Sequence, residues 1–205
     1  MVLAGACFML CAQVGLGLAA GRAETISALE ARRMLDMESQ GVFLVDVRTR
    51  AQYTLLGHPA GAYNAPWRLG ANDFQVKGGP YGGGKAAYTG YQLSAAPNPD
   101  FVGVMQSLFK PEDRLIIIST SGPQGGQAAE ALVQAGFKRV FNIRHGFLGD
   151  VLTSPDQEKL AEKYSPRFGR RGLVNGWVRW GLPVSYSIDP RLVYPPDIKR
   201  MEVLK

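Results

Sequence analysis

The turn Ser119-Thr120-Ser121-Gly122-Pro123-Gln124-Gly125 is the part of this chain best suited to chemistry, because the apolar run RLIIIS leads into it and GGQAAEALVQAG follows with helical spacing. A strand that passes through a glycine-rich turn into a helix leaves the N–H groups of the helix start without intrahelical partners, and such groups favour an anion or a carbonyl oxygen. Three hydroxyls stand in the turn, at Ser119, Thr120 and Ser121, but no cysteine, histidine, lysine or arginine. A serine nucleophile needs a base within hydrogen-bond reach, and the turn supplies none. What remains is weak binding of a small anion by the N–H groups, or an empty, solvated pocket.

Other reactive patterns are sparser. GPYGGGKA at residues 79–86 has the G-x-x-x-x-G-K skeleton of a phosphate loop, but Ala86 takes the place of the Ser or Thr that would hold magnesium, so a flexible surface loop is expected. Around it, Tyr81, Tyr88 and Tyr91 offer rigid amphipathic area, either to a protein partner or to the domain's own core. The two histidines, His58 and His145, have no cysteine or dense carboxylate cluster beside them, and no metal site or cofactor is expected. Lys163, Arg167, Arg170 and Arg171 form a basic cluster, read as a solvated face or as a contact for an acidic surface. Trp177 and Trp180 are expected in the core.

The elements that position these residues are legible from periodicity and breakers. Ser27 and Glu30 have capping-box spacing at the head of a helix that stops by Gly41. VFLVD is a buried strand ending at Asp46, residues 98–100 open the helix DFVGVMQSLF, and RLIIIS and RVFNI are further strands flanking a helix closed by Gly136. Strands alternating with helices predict a parallel α/β sheet. Residues 70–98 lack periodicity and read as a long Gly/Tyr-rich loop, residues 150–172 as a basic insertion with a helix, and residues 185–205 as an extended tail.

With 205 residues, 46% hydrophobic and 20% charged, the chain suits one globular domain. Its net charge of +6 is scattered, with no aromatic-interleaved basic stripe, so nucleic acid is not expected. Residues 1–23 carry no side-chain charge before Arg22 and end in small residues, which reads as a signal peptide, or alternatively as a membrane anchor through residues 3–20. Export to the periplasm follows from either. Both cysteines, Cys7 and Cys11, lie in this leader, so its removal would leave no thiol.

Asp46, Val47 and Arg48, then Tyr53 and GHPAGAYNAP at residues 57–66, resemble a characteristic stretch of the rhodanese-like family, as do AAEALVQAGFKRVFNIRHGF and the closing GFLGD…RRGLVNGWVRWGLPV. The last resembles the ending of a bacterial subgroup. The resemblance spans about 140 residues and implies a rhodanese-like α/β fold over residues 24–184, with helices on both faces of a parallel sheet. It also implies that Asp46 and Arg48 form a buried structural pair and that His58 is a structural turn residue. Active members carry C-R-S-G-x-R-S in the loop; here Ser119 stands in the cysteine's place, Thr120 and Gln124 in those of the arginines, Gly125 in that of the last serine, and Ser121 and Gly122 match. Gln52 takes the place of a glutamate. Sulfur transfer needs a thiolate that attacks a sulfane sulfur and carries it as a persulfide, which a serine hydroxyl cannot do. The implied function is an inactive homologue serving as a binding or accessory module, as in a subunit of a periplasmic or membrane-associated complex; the alternative is a sulfurtransferase-family enzyme or an oxyanion-handling activity at Ser119.

Overall fold

A computed structural model describes residues 22–37, 40–76, 86–151, 154–156, 159 and 173–193, with the backbone alone at 71–76, 86–89, 151 and 173. Residues 1–21 of the expected leader, Tyr81, the Tyr88 side chain, Lys163, Arg167, Arg170, Arg171 and most of the basic insertion lie outside the described residues, as does residue 194 onward.

Five parallel strands form the central sheet: β1 (Glu24–Ile26), β2 (Val42–Asp46), β4 (Tyr63–Asn64), β7 (Arg114–Ile118) and β8 (Arg139–Ile143), in the order β1-β8-β7-β2-β4. β7 lies at the middle because it is apolar on both sides. Leu115 and Ile117 join Val45, Val47 and Val140 in one core, while Ile116 and Ile118 join Leu44 and Ile143 in the other. The period of two sends alternate side chains to opposite faces, and each fully buried isoleucine contributes about 1.5–3 kcal/mol relative to exposure.

Helices cover both faces. On the first lie α3 (Phe101–Leu108) through Phe101 and Met105, and α4 (Pro123–Gln134) through Ala128, Ala129 and Leu132. On the second lie α1 (Ala28–Met37) through Ala28 and Ala31, with Phe147 and Trp177 beside it. α1 begins at the expected box: Glu30 N–H donates to Ser27 Oγ, and Ser27 N–H donates to Glu30 Oε2 at 2.7 Å. α4 starts at Pro123, two residues before the expected glycine, since proline is well suited to a first helical position whose N–H would have no partner. It closes where Phe137 N–H donates to Leu132 O at 3.1 Å, with Gly136 at φ 100°.

Three expectations are corrected. Residues 70–98 are not a structureless loop: β5 (Gly70–Val76) and β6 (Ala86–Leu93) pair antiparallel from Gly70↔Leu93 to Val76↔Ala86, with a register shift at Asp73/Phe74. A glycine-rich ribbon with an irregular register has no regular apolar alternation to betray it. The first part of the tail is tied down, because β9 (Val184–Ser185) pairs antiparallel with β3 (His58–Pro59) and Val193 bridges to Asn64 at the edge of the main sheet. Trp177 is buried and donates through Nε1 to Pro183 O at 2.9 Å, whereas Trp180, three residues along the same 3₁₀ turn, is 49% exposed. Among the described residues no helix is long and apolar enough to cross a membrane.

Candidate functional site

Ser119 follows the last residue of β7, and the turn after it is gripped by the segment beyond β8. Phe147 N–H donates to Ser119 O at 2.8 Å and Leu148 N–H to Thr120 O at 2.9 Å. The two segments approach so closely that a Cβ at Gly146 would lie 2.3 Å from Ser119 O, and one at Gly122 only 1.7 Å from Arg144 O. Gly122 also has φ 109°, outside the range side chains favour, so two constraints require glycine there.

Within the turn, Gly122 N–H donates to Ser119 Oγ at 3.0 Å, and Ser119 is 1% exposed. The hydroxyl at the strand's end is therefore already engaged by the turn it opens. Gly125 is buried against β8: a Cβ there would lie 2.4 Å from Asn142 Oδ1 and 3.2 Å from Ser119 Oγ. That contact explains why the position carries no side chain.

In front of the turn lies a cleft of about 340 Å³ lined by Ser119, Thr120, Ser121, Pro123 and Gln124, together with Gln52 and Leu93. None of these seven is charged. Pro123 has no N–H, so the donors that the start of α4 leaves without helical partners come from Gln124 and Gly125. The helix end favours a negative or electron-rich group by about 0.3–1 kcal/mol. Withdrawing a full charge from water costs several times more when no cation offsets it, about several kcal/mol per ion when burial is complete.

Asp46 and Arg48 support the turn from below. Arg48 Nη2 reaches Asp46 Oδ2 at 2.6 Å and Nε reaches Oδ1 at 2.9 Å, with both side chains 0% exposed. Arg48 also donates to Gly57 O at 2.8 Å, and its guanidinium sits 3.8 Å over the ring of Phe147, whose backbone holds Ser119. Asn64, not singled out from the sequence, donates through Nδ2 to both Asp46 O and Arg48 O at 3.0 and 2.9 Å. His58 stacks on Tyr53 at 3.7 Å, its Nδ1 lying 3.2 Å from Tyr53 O. Burial first, then the Asp46 charge, pushes the Tyr53 hydroxyl up to about 12; it donates to Ala62 O at 2.8 Å. His145 approaches Asp150 at 3.3 Å, and among the described residues no three His, Cys, Asp or Glu side chains converge.

Two of the cleft's walls escaped the sequence reading as site residues. Leu93 ends β6, so the ribbon borders the cleft. Gln52 is in α2 (Arg50–Leu55), whose N-cap Thr49 accepts from Gln52 N–H and completes a capping box with its side chain. The spacing Thr49-x-x-Gln52 was a readable signal for that box. Tyr91, also on β6, is 43% exposed, but its hydroxyl donates to Thr49 Oγ1, so the tyrosine turns back toward its own domain at the cleft's edge.

A family model described as "Rhodanese-like domain" matches residues 27–150. Among curated proteins, the chain is 26% identical over 152 residues to "Protein HIGH ARSENIC CONTENT 1, mitochondrial" of Arabidopsis thaliana, covering 70% of this chain and 75% of that protein. It is 26% identical over 132 residues to "Thiosulfate sulfurtransferase 18" of Arabidopsis thaliana, covering 63% of this chain and 82% of that protein. A crystal structure described as that of Rv0390 from M. tuberculosis shares the fold, with TM-score 0.55, 20% identity, and coverage of 82% of this chain and 100% of that one.

Proposed function

From the premise that this chain belongs to the rhodanese-like domain family, we propose that it is a binding or accessory module that does not itself carry sulfane sulfur. The supporting observation is the buried Ser119 at the head of the loop, its Oγ accepting the Gly122 N–H at 3.0 Å. The neighbouring hydroxyls and carboxamides include no base or cation. Cys7 and Cys11, both in the leader, are the only cysteines in the sequence. A hydroxyl cannot take a sulfane sulfur and release it again, because its pKa lies far above that of a thiol and an oxygen–sulfur adduct is no persulfide. The module is exported and acts with a protein partner, in the periplasm or at a membrane.

A sulfurtransferase activity is the second reading, favoured by the similarity to the relative named "Thiosulfate sulfurtransferase 18". It would need a sulfur acceptor other than the Ser119 hydroxyl. The two separate when the protein isolated from its own cells is treated with thiosulfate and then cyanide. No thiocyanate above a protein-free control is expected, and the intact mass and oligomeric state of the same sample report processing and companions. Thiocyanate released in proportion to protein would overturn the first reading.

A further inference from the structure

Resting on the reading of the cleft as a binding site, we infer that it takes an uncharged ligand through a carbonyl oxygen, with Gln52 as the donor and Tyr91 of the ribbon as the residue that positions it. The orientation of the Gln52 carboxamide is decided by chemistry. Thr49 N–H, 3.3 Å away, can only donate, so the atom facing it is Oε1 and not Nε2. Thr49 Oγ1 already accepts from Gln52 N–H at 3.3 Å and from the Tyr91 hydroxyl, so its own hydrogen goes to Gln52 Oε1, also 3.3 Å away.

Tyr91, Thr49 and Gln52 thus form a relay with one direction. It holds Oε1 against the helix cap and turns the two Nε2 donors away from it, in a side chain that borders the cleft. The ribbon strand that carries Tyr91 also supplies Leu93 to the same cleft two residues later. The ribbon therefore contributes an apolar wall and, through Thr49, orients the carboxamide of another lining residue.

A ligand meeting Gln52 Nε2 and the N–H groups at the start of α4 must accept hydrogen bonds. Among the described residues the cleft offers an anion no cation, and the helix start contributes only about 0.3–1 kcal/mol toward the water an anion gives up. A carbonyl oxygen satisfies the same donors without that cost. Gln124, whose carboxamide can donate and accept, fits the amide group as a whole.

The test is a titration of the 15N-labelled full-length protein, following the backbone N–H signals of Gly122, Gln124 and Gly125. Acetamide, N-methylacetamide, sulfate and thiosulfate are the probes, at constant ionic strength. Saturable shifts are expected with acetamide, as for a free carboxamide, or with N-methylacetamide, as for a peptide group, and only linear drift with the two anions. Gln52→Glu keeps the oxygen that caps Thr49 but replaces the donor, and weakens amide binding about tenfold. Tyr91→Phe weakens it about threefold and changes the Gln52 side-chain NH₂ signals at unchanged melting temperature. Saturation by sulfate tighter than by either amide, saturation by neither amide, or amide affinity unchanged in Gln52→Glu each overturns the inference. Thiosulfate turnover by the unmodified protein would instead fail the binding-module reading, and is measured separately on the same preparation.

Discussion

Gly122 N–H donates to Ser119 Oγ at 3.0 Å across the turn between β7 and α4, so the atom at the head of the loop lies where a backbone donor can stabilise negative charge. A thiolate in that position would gain more from this donor than the neutral hydroxyl does. Ser119→Cys combined with Gln124→Arg is expected to acquire cyanide-releasable sulfur after thiosulfate treatment, with a thiol pKa below the ordinary value of about 8.5. Thiocyanate release against the unmodified protein, and the pH dependence of thiol alkylation, check both parts. Equal release from the two proteins would mean that sulfur resides elsewhere.

Gly122 is required by space as well as by φ. Gly122→Ala places a methyl 1.7 Å from Arg144 O, a backbone atom that moves only with the segment gripping the turn, and is expected to cost about 3 kcal/mol or more. Gly103, exposed in α3 with nothing within 4 Å of its Cβ position, provides the contrast. Gly103→Ala is expected to stabilise by about 0.5–1 kcal/mol through helix propensity. Urea unfolding of both variants shows whether the two signs differ.

The Asp46–Arg48 pair is buried without access to water, so removing one partner exposes the cost of the other. Arg48→Met is expected to destabilise by about 3–5 kcal/mol. Adding Asp46→Leu should recover part of that loss, a non-additivity read from a double-mutant cycle in urea. Because Arg48 lies under Phe147, the single variant should also shift the amide signals of Ser119 and Thr120.

Tyr53 ties stability to alkaline pH. Its folded-state value of about 12 lies above the ordinary phenol value, so the folded chain holds this proton more tightly than the unfolded one. Its contribution is complete below about pH 10 and is lost as the pH rises through about 12. Tyr53→Phe removes the hydrogen bond to Ala62 O, costs about 0.5–1.5 kcal/mol at neutral pH, and flattens the fall between those limits. Unfolding midpoints from pH 8 to 12 would refute the assignment if both proteins declined in parallel.

Elements whose signals are local could be read from the chain directly. The Ser27/Glu30 box opens α1, Gly136 closes α4, and the apolar runs of β2, β7 and β8 are dense enough to be strands buried on two faces. The ribbon was missed because pairing of residues 70–76 with 86–93 depends on backbone bonds between separate stretches, and its glycines disturb the alternation. Trp180 departed from its expected place although residues three apart share a side of a 3₁₀ turn: it is the last residue of that turn, just before left-handed Gly181, and is half exposed.

By itself the sequence determined the α/β alternation, the strand-turn-helix around Ser119 and the absence of a thiol beyond residue 11, since each depends on residue identity or short-range period. Tertiary structure alone decided that Ser119 Oγ is occupied by Gly122, that Gly125 makes room for Asn142, that Leu93 and Gln52 line one cleft, and that Tyr91 reaches Thr49. These contacts join residues up to about forty positions apart in the chain, and such distances close only when sheet and helices pack together, so no local pattern encodes them.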